Sequence, residues 1–217
     1  MSRWQQGVTL ISMMVGLLIS LLVILVMMTS FRTLISISAE ASRGAFQDGE
    51  LATALTALQM DIQGAGYGLD ATVSPALVKS PISLPEHGSE EALLWRFKDG
   101  GALTCAGVVE RADTDPDSSQ PMRVVSRLLA NDCSETAGLA SFEWVLGEDL
   151  LRFKNQTARQ LRITLDEEAC SPFGALGESE NHPIVILSAP SSTQHAGASA
   201  APVSYSICLL NIPVSDS

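Results

Sequence analysis

Trp4-Gln5-Gln6-Gly7-Val8-Thr9-Leu10-Ile11-Ser12-Met13-Met14-Val15-Gly16-Leu17-Leu18-Ile19-Ser20-Leu21-Leu22-Val23-Ile24-Leu25-Val26-Met27-Met28-Thr29-Ser30-Phe31 carries no charged side chain. Arg3 precedes this run and Arg32 closes it. As a helix at ~1.5 Å per residue it would reach about 42 Å. About 20 apolar residues suffice to cross a hydrocarbon core, so the run spans one with a surplus. A removable secretory signal is the competing reading, but its apolar region is typically ~7–15 residues and ends at a small-residue cleavage site. This run is longer, and no convincing A-x-A site follows it closely. Arg3 on one side, with Arg32 and Arg43 on the other, leaves the orientation open.

Working outward, residues 8–64 contain no proline, and Gly16, Gly44 and Gly49 are the only glycines before Gly64. Leu, Met, Ala, Gln and Glu, all good helix formers, are frequent there. Leu51, Leu55, Leu58 and Ile62 follow the i, i+4, i+7, i+11 spacing of one helix face. Asp48, Glu50, Thr53 and Gln63 supply polar positions around that stripe. The expected helix is therefore apolar all round up to about Arg32 and amphipathic beyond it, as packing on a globular head requires. Gly64, Gly66 and Gly68 mark its stop, because glycine adopts positive φ at low cost. Residues 8–63 as one helix would reach roughly 80 Å, too long for a compact domain to bury, so the helix is expected to protrude.

After Gly68 the pattern changes to strands. Ala92–Phe97, Leu103–Glu110, Met122–Leu129, Leu139–Leu146, Leu150–Lys154, Gln160–Leu165, Ile184–Leu187 and Val203–Ile212 are the predicted segments, separated by Asp-Gly, Asn-Asp, Gly-Glu-Asp and Pro-Asp turns. Residues 188–202 are low in complexity and read as a loop. The expected fold class is α+β: a long protruding N-terminal helix packed on an antiparallel β-sheet head. Its parts are a segment 1–7, a membrane helix 8–31, an amphipathic continuation 32–68 and a β-rich head 69–217. Trp95, Phe97, Phe142, Trp144 and Phe153 are expected in the core rather than on a binding platform.

Cys105, Cys133, Cys170 and Cys208 all follow the membrane segment, none in a C-x-x-C pair. An even count at wide spacing fits two disulfides in an oxidising compartment. Four reduced cysteines in a cytosolic core are the competing reading. Four cysteines allow three connectivities, and neighbour pairing, Cys105–Cys133 with Cys170–Cys208, is the simplest of three that stay open.

The formal net charge of −11 disfavours nucleic acid as a partner, since affinity for phosphate backbones rests on Lys and Arg. Asp113, Asp115 and Asp117 alternate like the start of an EF-hand and are candidate calcium ligands. The sixth and twelfth positions are Ser118 and Val124, where that loop needs Gly and a bidentate Glu. A solvated acidic turn is the alternative. His87, His182 and His195 lie far apart, without zinc spacing. There is no nucleophile elbow and no phosphate-cradling loop. Glu167 and Glu168 are adjacent, so in a strand they point to opposite faces. Neither enzymatic activity nor a cofactor is expected.

The stretch Gln6-Gly7-Val8-Thr9-Leu10-Ile11-Ser12 resembles the cleavage signal of type IV prepilins. Leu58-Gln59-Met60-Asp61-Ile62-Gln63-Gly64-Ala65-Gly66-Tyr67-Gly68 resembles the first-helix ending of PilW-type minor pilins, and Trp95-Arg96-Phe97 with Leu103-Thr104-Cys105-Ala106-Gly107 is also similar. The likeness covers residues 5–30 and 58–68 well, 92–107 loosely and the rest hardly at all. It implies cleavage by a prepilin peptidase after Gly7 and methylation of Val8. Loss of Arg3 with the leader takes the charge from −11 to −12. It also implies partners: other minor pilins, the major pilin, a tip adhesin, the peptidase and the inner membrane. The implied location is that membrane, head in the periplasm, and then the filament at the cell surface. The J-like pseudopilin of type II secretion has a similar helix end. A single-pass anchored periplasmic binding domain is a rival of another class.

Where the family carries glutamate, thought to pair with a neighbouring subunit's amine, this chain has Ser12. A carboxylate in a membrane helix costs ~2.5–3.5 kcal/mol on insertion scales. Pairing in a filament relieves that cost, and serine has neither the cost nor the relief. The departure implies either a tolerated substitution or a subunit at the filament tip.

Overall fold

The computed structural model describes residues 10–70, 73, 75–171, 180–192 and 201–212. Helix α1 runs from Leu10 to Gln63. The strands are β1 (Leu77–Leu84), β2 (Gly88–Asp99), β3 (Ala102–Thr114), β4 (Pro121–Ala130), β5 (Trp144–Lys154), β6 (Arg162–Cys170), β7 (Glu180–Ala189) and β8 (Val203–Cys208). The chain divides into two compact units at Phe46 and Gln47.

The described part of the first unit is helix alone. Its large apolar side chains from Leu10 to Phe46 are exposed, and the helix is long and apolar enough to cross a membrane. Regular i→i−4 bonding satisfies the backbone internally, as a span in lipid requires. Ser20, Thr29, Thr33 and Ser36 turn their hydroxyls back onto the carbonyls of Gly16, Val26, Thr29 and Thr33 at 2.8–3.0 Å. These four hydroxyls thus carry their own acceptors.

The second unit opens with the rest of α1, where Leu51, Leu55, Leu58 and Ile62 are buried. No side chain from Arg32 to Glu50 is buried, so packing begins about five turns later than a change of character at Arg32 suggests. Gly66 and Gly68 take positive φ, +81° and +67°, and end the helix.

Among the described residues the head holds two antiparallel sheets rather than one, with strand orders β1-β2-β3-β4-β5 and β6-β7-β8. On one side of the larger sheet, Leu93, Trp95, Val108, Val125 and Phe153 share a core with the α1 stripe. Leu161, Ile163, Val185, Leu187 and Ile207 of the smaller sheet close that core. On the other side, Ile82, Leu94, Val109, Leu128 and Trp144 form a second core. The larger sheet curls until edge strands β1 and β5 touch, and a 3-10 turn, Leu139–Ser141, lodges against β1 and β2.

Three predicted elements differ. Strand β1 is not among the predicted segments; its Pro81 is tolerated because the strand lies at an edge. Leu139–Leu146 is the 3-10 turn followed by the start of β5, not a strand. Gly147-Glu148-Asp149 does not turn the chain: β5 runs through it, and register shifts opposite Val125–Leu128 absorb the irregularity. Trp95, Trp144 and Phe153 are buried as expected, while Phe97 and Phe142 are half-buried.

Candidate functional site

Gly7 and Val8 lie outside the described residues. Ser12 lies in the exposed apolar part of α1. The carbonyls one turn before it also lie outside the described residues.

Two disulfides are present, Cys105–Cys133 and Cys170–Cys208, and no described cysteine is free. The first ties β3 to residues 131–143, which strap across the second core. Arg96 of β2, fully buried, holds the same strap. Its Nη1 donates to the Ser134 carbonyl at 2.6 Å and its Nη2 to the Ala137 carbonyl at 2.9 Å. The Phe142 ring lies 6.0 Å from its guanidinium. Burial lowers the Arg96 pKa, and the Glu135 carboxylate opposes that shift. Trp144 completes the strap by donating Nε1–H to the Leu139 carbonyl at 3.1 Å. The second disulfide joins β6 to β8 across β7.

The three candidate calcium ligands are not brought together, because β3 ends at Thr114 and only Asp113 of the three is in the strand. Asp113 accepts from the Thr114 amide at 2.8 Å and pairs with Arg111. Asp115 accepts from the Asp117 amide at 2.9 Å and pairs with Lys154 at 3.1 Å. Burial pushes the Asp113 carboxyl up, but the Thr114 amide and Arg111 outweigh it and hold it low. The Asp117 amide, and then Lys154, hold Asp115 low. These carboxylates already have protein partners, and among the described residues no group of three or more His, Cys, Asp or Glu could hold a metal.

Two polar constellations were not singled out in the sequence. Arg111 and Ser126 converge on Asp149, with the Ser126 hydroxyl donating at 2.7 Å and Arg111 Nη2 at 3.2 Å. Arg152 reaches the other Asp149 oxygen at 3.0 Å. The second centres on Glu110, which is buried. It accepts from Arg123 Nε at 3.1 Å, from the Gln160 amide at 2.8 Å and from the Leu161 amide at 2.6 Å. Arg159 bridges Glu90 and Glu91, both at 2.9 Å. Glu110 thereby fixes the link that carries the chain from the larger sheet into β6. A third feature is a mainly apolar groove of about 340 Å³ beside the end of α1, lined by Met60, Phe97, Ala106 and Leu129 and rimmed by the Arg127–Asp61 ion pair at 2.7 Å.

The two polar constellations sit where they satisfy buried charge and secure strands. Neither places a nucleophile beside a base in a cleft, the geometry that acyl- or phosphoryl-transfer chemistry needs. Comparison with protein-family models, with curated proteins and with solved structures finds no match for the chain.

Proposed function

We propose that this chain is a type IV pilin-like subunit, a PilW-type minor pilin that helps to prime filament assembly. In this reading a prepilin peptidase cuts after Gly7, Val8 is methylated, and the helix anchors the chain in the bacterial inner membrane before passing into a filament. The head stays outside the cytoplasm, where its cysteines oxidise. The observation that carries the reading is one 54-residue helix, Leu10–Gln63, whose only buried residues are the stripe Leu51, Ala54, Leu55, Leu58 and Ile62. The cleavage-like Gly7-Val8-Thr9-Leu10-Ile11 and the Asp61-to-Gly68 helix ending add the resemblance.

The chemistry of such a subunit is assembly rather than turnover. An apolar helix exposed along its length is stable in lipid and equally stable against other apolar helices, so moving between the two costs little. A carboxylate in that helix would bias it toward a pairing amine. Ser12 removes the bias, which suits a subunit that starts a filament and has no predecessor to pair with.

Intact mass of the chain purified from its membrane tests the reading. A mature chain starting at methylated Val8 is expected; a chain retaining Met1 would overturn it in favour of a plainly anchored domain.

A further inference from the structure

Strand β6 is an outer strand of the smaller sheet, and its second edge pairs with no described strand. Of its residues only Ile163 is buried, and Leu165 remains 43% exposed. An open edge of this kind is a template for another strand. In β6 the edge also has a charge polarity. Arg159 and Arg162 lie at its start, where with Lys79 they line a groove of about 260 Å³. Lys79 and Arg159 are paired to Glu91, and Arg159 also to Glu90, whereas Arg162 makes no ion pair among the described residues. At the other end Asp166, Glu167 and Glu168 are all exposed.

The backbone fixes which groups are open. The Glu167 amide donates to the Asp166 carboxylate at 2.9 Å. The β6–β7 register runs unbroken from Arg162 to Cys170. The odd-numbered backbone groups of β6 therefore face the free side. Those of Leu161 and Glu167 are partly committed, since the Leu161 amide donates to Glu110. Ile163 and Leu165 are left as the pair able to form a new ladder.

We propose that two copies of this chain pair β6 to β6, antiparallel, about a two-fold axis at Thr164. That register sets Arg162 against Asp166 of the second copy, and Asp166 against its Arg162, on the same face as the Thr164–Thr164 pair. Ile163 and Leu165 exchange backbone hydrogen bonds, and the exposed Leu165 side chain gains Ile163 of the second copy as its cross-strand neighbour. Opposite charges and Thr–Thr pairs directly across an antiparallel ladder are mutually favourable. The occupant is a second copy because a basic start and an acidic end are complementary to themselves only when the strand is turned round. The chain's charge of −11 opposes association in any arrangement, and the two Arg162–Asp166 pairs of this register offset part of that repulsion. The pairing is independent of whether the chain is a pilin.

The test uses the full chain in detergent micelles, with Thr164→Cys as the reporter. No described cysteine is free, so the new thiol is distinguishable. A non-hydrogen-bonded antiparallel pair has Cα atoms about 4.5 Å apart, within disulfide reach. Mild oxidation is expected to give a 164–164 cross-linked dimer, and sedimentation of the unsubstituted chain a reversible dimer. Arg162→Asp places like charges opposite each other twice and is expected to weaken dimerisation and cross-linking about tenfold. Arg162→Asp with Asp166→Arg restores both. A chain that stays monomeric at several hundred micromolar would overturn the proposal. So would a dimer that persists in Arg162→Asp, because the apolar helix or another surface would then be holding it. Failure of the double exchange to restore cross-linking, with thermal unfolding unchanged, would overturn the register.

Discussion

Glu110 can stay buried because Arg123 and the amides of Gln160 and Leu161 replace its hydration. Glu110→Ala leaves the buried Arg123 without its nearest carboxylate and two amides without acceptors. Breaking one side of a buried pair costs about 3–5 kcal/mol, and urea unfolding is expected to show a loss in that range. Glu110→Gln, which keeps an acceptor oxygen, should fall between; a loss below about 1 kcal/mol for the alanine variant would mean that water takes over the carboxylate's role. A second expectation concerns acid. Burial pushes the Asp149 carboxyl up, but Ser126, Arg152 and Arg111 outweigh it and hold it low, as Asp113 and Asp115 are held. A carboxyl with a lowered folded pKa contributes stability that is complete above its unfolded value, about 3.9, and is lost as pH falls through the folded value. The urea midpoint should therefore hold steady between about pH 5 and 7 and drop below about 4. Asp149→Asn should show a shallower drop; an identical acid limb would remove Asp149 from the account. None of this was legible in the sequence. The alternation of Asp113, Asp115 and Asp117 is visible but leads nowhere once β3 ends at Thr114. Glu110 looks like any strand carboxylate, because the groups that hold it are 13, 50 and 51 residues away.

Among the elements, α1 and its stop show what sequence can fix. Gly66 has a φ of +81°, and a Cβ there would lie 2.6 Å from the Asn211 carbonyl oxygen. Gly66→Ala should lose about 1–3 kcal/mol from backbone strain, and more from displacing the chain after β8. Gly49 is the internal contrast: it is helical, and a Cβ there meets nothing within 4 Å. Gly49→Ala should gain about 0.5–1 kcal/mol. Paired unfolding curves of the full chain check both signs at once, and a neutral Gly66→Ala would show that something other than this glycine ends the helix. The helix was readable because one long period and a cluster of glycines are local signals. The strands were readable in number and rough position but not in detail. Pro81 masks β1, since a proline is a break in a central strand and harmless at an edge. Gly147-Glu148-Asp149 has turn chemistry yet lies within β5, because Asp149 is held from across the sheet by Ser126 and Arg111. The division into two sheets left no local trace either: the link into β6 is held at residues 160–161 by Glu110, some 50 residues earlier in the chain.

In the molecule as a whole the disulfides fasten different parts, and their removal should be felt differently. Cys105–Cys133 closes a sequence separation of 28 and Cys170–Cys208 one of 38. Chain entropy alone assigns roughly 3–4 kcal/mol to each. The first, however, shares its task with Arg96, which grips the same strap through the carbonyls of Ser134 and Ala137. While the disulfide is present, Arg96→Met should cost little: a well-packed apolar replacement of a buried cation is often neutral, and the strap cannot leave. Without the disulfide the guanidinium becomes the main polar tie, so Cys105→Ala with Cys133→Ala should be tolerated only while Arg96 remains. The three substitutions together are then expected to exceed the sum of their separate effects by about 0.5–3 kcal/mol, the range seen for groups that share one structure. Cys170→Ala with Cys208→Ala provides the comparison. That bridge lies in the other sheet, and its loss should add to Arg96→Met within about 0.5 kcal/mol. Both cycles can be measured by urea unfolding under non-reducing conditions. Equal additivity in the two would mean that Arg96 and the Cys105–Cys133 bridge act on the strap independently, and the strap would then open in stages rather than as one piece.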